Sequence, residues 1–154
     1  MSPEPRHDRY DAEALIEAAA EARTQAYAPY SHFRVGAALL ARSGKVYTGC
    51  NIESVSYTPT MCAERVAIGT AIAAGEQPGS FVAVAVVGDD AQPSTPCGVC
   101  RQVLAELAPR IRVHMASAPE KGHGKLVMSV EELLPHGFTF DAGRLDSGPN
   151  APVA

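Results

Sequence analysis

Apolar positions along the chain switch between a helical and a strand period. Ala12, Leu15, Ile16 and Ala19 recur at i, i+3, i+4 and i+7, which predicts a helix capped by Asp8 and ending near Tyr27, ahead of Pro29. Two apolar runs follow, one to Leu40 that is strand-like once past Ser31, the other Lys45 to Ile52. Ser43-Gly44 turns the chain between them, so they read as a β-hairpin whose open end sets Phe33 beside Asn51. Glu53 to Met61 is polar, carries Pro59 and reads as a loop. Cys62 to Ala74 reads as a helix stopped by Gly75. Phe81 to Val87 is continuously apolar, as a strand buried on both faces would be. After a loop from Gly88 to Thr95, a helix is expected from about Cys97 to Leu107, closed by Pro109. Strands are expected at Ile111–Met115 and Leu126–Met128, and Ser129 with Glu132 forms a capping box for a short last helix. The order αββαβαβ(β)α predicts an α/β fold, a three-layer sandwich around a mixed five-stranded sheet.

The length of 154 residues suits one domain, placed at 8–140 with a loose arm at 1–7 and a disordered tail at 141–154. A net charge of −4 and the lack of an Arg/Lys stripe argue against a nucleic-acid partner. No apolar run approaches the roughly 20 residues of a membrane span, and the first residues carry no apolar leader core, so the cytoplasm is the expected location. There, four cysteines point to metal binding or catalysis rather than to disulfides.

Three of those cysteines stand at expected helix starts. Cys62 opens one helix; Cys97 and Cys100, three apart, share one side of the next. A helix N-terminus favours thiolate over thiol. With the two helices parallel on one sheet face, Cys62, Cys97 and Cys100 can reach one zinc ion, leaving its fourth position for water as catalytic sites do. Glu64 lies in the same first turn and suits a general acid–base that carries the water's proton. Arg65 offsets the formal −1 of three thiolates on Zn2+. A structural zinc site would want four ligands, and Cys50, the spare thiol, sits in an apolar strand. A redox Cys-x-x-Cys would want thioredoxin-like surroundings, which are missing. His32 and His114 read as structural.

Beyond these elements the chain resembles the cytidine deaminase family. The resemblance rests on Tyr27-Ala28-Pro29-Tyr30-Ser31, Phe33, Val35 to Leu39, Gly49-Cys50-Asn51-Ile52-Glu53, Cys62-Ala63-Glu64-Arg65, Pro96-Cys97-Gly98, Cys100 to Leu104, and Glu132 to Pro135. It implies a cytidine deaminase-like sandwich with one zinc ion per subunit on Cys62, Cys97 and Cys100, and Glu64 as proton carrier. It further implies that Phe33 packs on the pyrimidine, that Asn51 and Glu53 bind the ribose hydroxyls, and that the Ala63 backbone contacts the base. Arg65 and Gln102 would hold the thiolates. Small three-cysteine members are homotetramers with shared active sites, and Phe138 would reach a neighbour's pocket. The implied reaction is hydrolytic deamination of cytidine and deoxycytidine, a pyrimidine salvage step needing no redox or nucleotide cofactor. Two stretches depart from the usual pattern: Ser54 to Pro59 beside the sugar, and His136-Gly137-Phe138-Thr139-Phe140. The latter ending is similar to the blasticidin-S deaminases, which keeps a modified or antibiotic cytosine nucleoside in view as substrate. A zinc-stabilised binding module without turnover is the reading from another class.

Overall fold

A computed structural model of the chain describes residues 9–139. The expected arm at 1–7, the tail at 141–154 and the Asp8 cap lie outside the described residues. Helix α1 (Ala12–Arg23) is capped instead by Asp11, whose carboxylate accepts from the Ala14 N–H at 3.0 Å. It stops four residues before Tyr27, because the chain turns there to bond strand-fashion with the hairpin end. The Tyr27 N–H donates to the Asn51 carbonyl, and the Glu53 N–H to the Tyr27 carbonyl. A helix carried on to Tyr27 would forfeit both bonds.

The remaining elements follow the expected order: β1 (Val35–Ala41), β2 (Val46–Cys50), α2 (Ala63–Ala73), β3 (Phe81–Gly88), α3 (Gly98–Leu107), β4 (Arg112–Ser117), β5 (Lys125–Ser129) and α4 (Val130–Leu133). The Ser129–Glu132 capping box is formed in both directions. Strand order is β2-β1-β3-β4-β5, with β3 and β4 parallel and the other neighbours antiparallel. The expected mixed five-stranded sheet is therefore present, layered between helices.

Side chains alternate between its faces. Ala37, Leu39, Val84, Val113 and Met115 pack with α2, α3 and α4 in the larger core. Ala38, Ala83, Ala85, Val87 and Ala116 face α1, with Leu15 and Ala19. Because that second face is mostly alanine, α1 settles close to the sheet. Two glycines set the contacts that matter for the site. A Cβ on Gly36 would lie 2.0 Å from the Ala19 carbonyl oxygen and 2.4 Å from the Arg23 nitrogen, so only glycine lets the end of α1 reach β1. On the opposite face, a Cβ on Gly49 would lie 2.4 Å from the Ala63 carbonyl oxygen, so the start of α2 rests directly on β2.

Both close approaches predict a cost. Gly36→Ala and Gly49→Ala should each destabilise the fold by about 1–3 kcal/mol through overpacking. Gly69→Ala, on the exposed side of α2 with open space around it, should be neutral or stabilising by up to about 1 kcal/mol. Denaturant midpoints of the three variants check the contrast.

Candidate metal and substrate site

Strands β2, β3 and β4 all point the same way, so α2 and α3 both begin at one end of the sheet. Cys62 is the N-cap of α2 and Cys97 the N-cap of α3, and neither side chain caps its own helix. Both thiols are thus free of the usual capping role. Cys100 lies in the first turn of α3 and is buried. The three sulfurs lie within 4.8 Å of one another, with Cys62 and Cys97 Sγ atoms 3.6 Å apart. No disulfide forms among them. Tetrahedral zinc with bonds of about 2.3 Å requires sulfurs about 3.8 Å apart; the Cys62–Cys97 pair stands close to that spacing, and Cys100 lies within reach of both.

Arg65 braces the cluster. Its Nη2 donates to the Thr60 carbonyl at 3.0 Å and to Cys62 Sγ at 3.7 Å. A hydrogen bond from the Cys100 thiol, with Arg65 alongside, lowers the Cys62 pKa. The Cys100 thiol, giving that bond and buried, is pushed up. Beside them Glu64 is 4% exposed, and burial first, then the negative charge on Cys62, pushes its carboxyl up to about 7. A carboxyl titrating near neutrality can both take and return a proton.

From this cluster a cleft of about 360 Å³ opens past Ala63, Val86 and Phe33 to Asn51 and Glu53. That volume falls in the range of about 300–1,000 Å³ typical of small-molecule sites. The Phe33 segment is pinned by the residues that share the cleft with it. Asn51 Nδ2 donates to the Phe33 carbonyl and Asn51 Oδ1 accepts from the Val35 N–H, both at 2.8 Å. Glu53 accepts from the Ser31 N–H at 3.2 Å and from the Ser31 hydroxyl at 2.9 Å. The Asn51 amide retains one N–H and one lone pair, and the Glu53 carboxylate retains lone pairs, for a ligand. Ser31 was not singled out from the sequence; its place two residues before Phe33 in the matching motif was the available signal.

Two expected site residues sit apart from this cleft. Phe138 is 73% exposed and lies outside its own chain's cleft. Gln102 donates to the Phe138 carbonyl at 3.1 Å rather than to a thiol. Its amide is committed to the segment that carries Phe138. A larger cavity of about 720 Å³ at the opposite sheet end, between Arg42, Ser80 and Arg110, holds no thiol or carboxylate, so the chemistry belongs to the smaller cleft.

A proton-carrying acid against a thiol cradle, closing a cleft with hydrogen-bonding capacity at its far end, is the construction of a metal-dependent hydrolase on an α/β sandwich. Residues 9–116 match the cytidine and deoxycytidylate deaminase zinc-binding region, and the chain belongs to that family. A cytidine deaminase of Halalkalibacterium halodurans is 47% identical over 133 residues, covering 85% of this chain and 96% of that protein. The crystal structure of cytidine deaminase from Burkholderia pseudomallei superposes with a TM-score of 0.79 at 49% identity, covering 84% of this chain and 100% of the other. The blasticidin-S deaminase of Bacillus cereus is a more distant relative, 34% identical over 134 residues, with 81% of this chain and 90% of that protein covered.

Zinc content of purified protein tests the cradle. Cys97→Ser or Cys100→Ser should reduce bound zinc from one ion per chain to almost none, whereas Glu64→Gln should leave it unchanged. Arg65→Ala, which removes a donor to Cys62, should weaken zinc binding roughly ten- to a hundredfold in a chelator competition.

Proposed function

We propose that this protein catalyses the hydrolytic deamination of cytidine and deoxycytidine to uridine and deoxyuridine, releasing ammonia, as a step of pyrimidine salvage in the cytoplasm. The observation that carries the reading is Glu64. It is buried, raised to about 7, and set against three thiols at zinc spacing at the inner end of a cleft that Asn51 and Glu53 line further out.

When bound on Cys62, Cys97 and Cys100, zinc supplies Lewis-acid activation of water for attack at C4 of the ring. The protein does the rest. Phe33 packs on the base and excludes water from one face. The spare capacity of Asn51 and Glu53 meets the ribose hydroxyls, which fixes the ring's reach into the cleft. The first amide of α2, at Ala63, has no intrahelical partner and can hold an oxygen of the base. Glu64 takes the proton of the attacking water and delivers it to N3. The second proton, from the hydroxyl that C4 has gained, then goes through Glu64 to the amino nitrogen, which leaves as ammonia while the C4 carbonyl forms. Water and substrate thus balance product and ammonia with no electron transfer.

Phe138, Tyr57 and Val55 are each at least 73% exposed. Apolar side chains so exposed favour burial by a second copy, and a homotetramer in which Phe138 closes a neighbour's cleft fits them. The ending His136-Gly137-Phe138-Thr139-Phe140 and the 34% relative keep an antibiotic cytosine nucleoside such as blasticidin S as the second reading.

The decisive assay is ammonia release, with the ultraviolet change from cytosine to uracil, on the zinc-loaded protein. Cytidine and deoxycytidine should turn over well and blasticidin S poorly. Glu64→Ala should lower the rate by about 10²–10⁴-fold while zinc stays bound. Turnover of blasticidin S alone would move the substrate assignment. No turnover of any of the three would leave a modified cytosine nucleoside as substrate or the binding-module reading.

A further inference from the structure

A buried ion-pair network that takes no part in the chemistry meets the chain one residue beyond Phe33. Arg23 ends α1, Asp89 follows β3, and Glu120 lies in the loop after β4. The side chains of Arg23 and Asp89 are only 6% and 10% exposed. Arg23 Nη1 donates to Asp89 Oδ1, and Arg23 Nη2 donates to Glu120 Oε1 at 2.6 Å. The other Asp89 oxygen accepts from the Arg34 N–H at 3.1 Å and from Arg34 Nε at 3.0 Å. In return the Asp89 N–H donates to the Arg34 carbonyl at 3.0 Å. One residue therefore holds both main-chain polar groups of residue 34.

The grip continues into the cleft. The Phe33 N–H donates to Ser31 Oγ at 3.0 Å, and its carbonyl is held by Asn51. The Phe33 ring rests against Gly88, the residue before Asp89, with Cε1 3.2 Å from where a Cβ on that glycine would stand. Asp89 thus anchors the main chain that follows Phe33 and the strand end on which its ring lies. Buried charge is a poor way to gain stability alone, because desolvation offsets most of the attraction. Directed bonds of this kind fix geometry.

We infer that Asp89, braced by Arg23, is a positioning residue for Phe33, and through Phe33 for the base of the substrate. Its effect on substrate rests on the nucleoside reading above; its effect on the Phe33 ring does not. The chain has four phenylalanines, so fluorophenylalanine labelling gives a fluorine spectrum in which Phe33→Leu identifies the Phe33 signal. The zinc-loaded full chain is compared with Asp89→Asn. Arg23→Met/Asp89→Asn, which leaves no buried charge unpaired on α1, is the second variant should the first not fold.

The Phe33 signal should shift or broaden in either variant. KM for cytidine should rise roughly tenfold while kcat stays within about threefold. Adding Phe33→Leu to the Asp89 variant should raise KM by less than about twofold more, since both changes act through one ring. An unmoved Phe33 signal in a folded Asp89 variant would overturn the inference, as would KM effects that simply multiply. A moved signal in a protein whose wild type turns over no cytosine nucleoside would uphold the positioning of Phe33 and sink the nucleoside reading.

Discussion

Two crossovers on one sheet face govern this molecule. Strands β2, β3 and β4 run in the same direction, and the chain moves across the sheet one way as it links them. The handedness rule for parallel connections then sends α2 and α3 to the same face, with both helices starting beyond the same strand ends. Had the crossovers alternated in direction, the helices would lie on opposite faces and Cys62 could not meet Cys97. Everything at the site depends on that meeting, because two N-caps and one first-turn residue supply the sulfurs. Carboxyl ends of parallel strands are where open α/β sheets place their ligands, and the thiol cluster and its cleft stand at that end.

The electrostatics follow from the placement. Two helix N-termini aim partial positive charge and unpartnered N–H groups at the cluster, while Arg65 adds a full charge beside Cys62. At Cys62 the Cys100 hydrogen bond, with Arg65 behind it, lowers the thiol. Burial first, then the charge on Cys62, pushes Glu64 the other way. One short segment, Cys62 to Arg65, therefore holds a lowered thiol, a raised carboxyl and a balancing cation. Gly49 makes this possible, since any larger residue would lift the start of α2 off β2.

The outer cleft is built on economy of a different kind. Asn51 and Glu53 face the ligand space, yet each also ties down the segment bearing Phe33. Two residues that line the cleft are thus the ones that fix its aromatic wall. Asp89 and Arg23 extend that support to α1 and the loop after β4. Gly36 sets the reach, by letting the end of α1 press onto β1 so that Arg23 arrives beside Asp89.

The elements, the zinc-type cysteines and the acid are legible in the chain alone, because these are local facts. Periodicity marks helices and strands, and Cys-Ala-Glu-Arg and Pro-Cys-x-x-Cys place thiols and carboxylate within single helical turns. Hairpin geometry even set Phe33 beside Asn51. Local rules failed where distant chain competes. Helix α1 stops at Arg23 because Tyr27 bonds to residues 51 and 53. The Arg23–Asp89–Glu120 network left no mark in the sequence, since its members lie 66 and 97 positions from Arg23. Strand order, with β1 inserted between β2 and β3, was equally hidden, because hydrophobic patterning says which face of a strand is buried but not which strand lies beside it. Only the folded sheet decides that, and it brings the thiols, the acid and the pinned aromatic ring to one end.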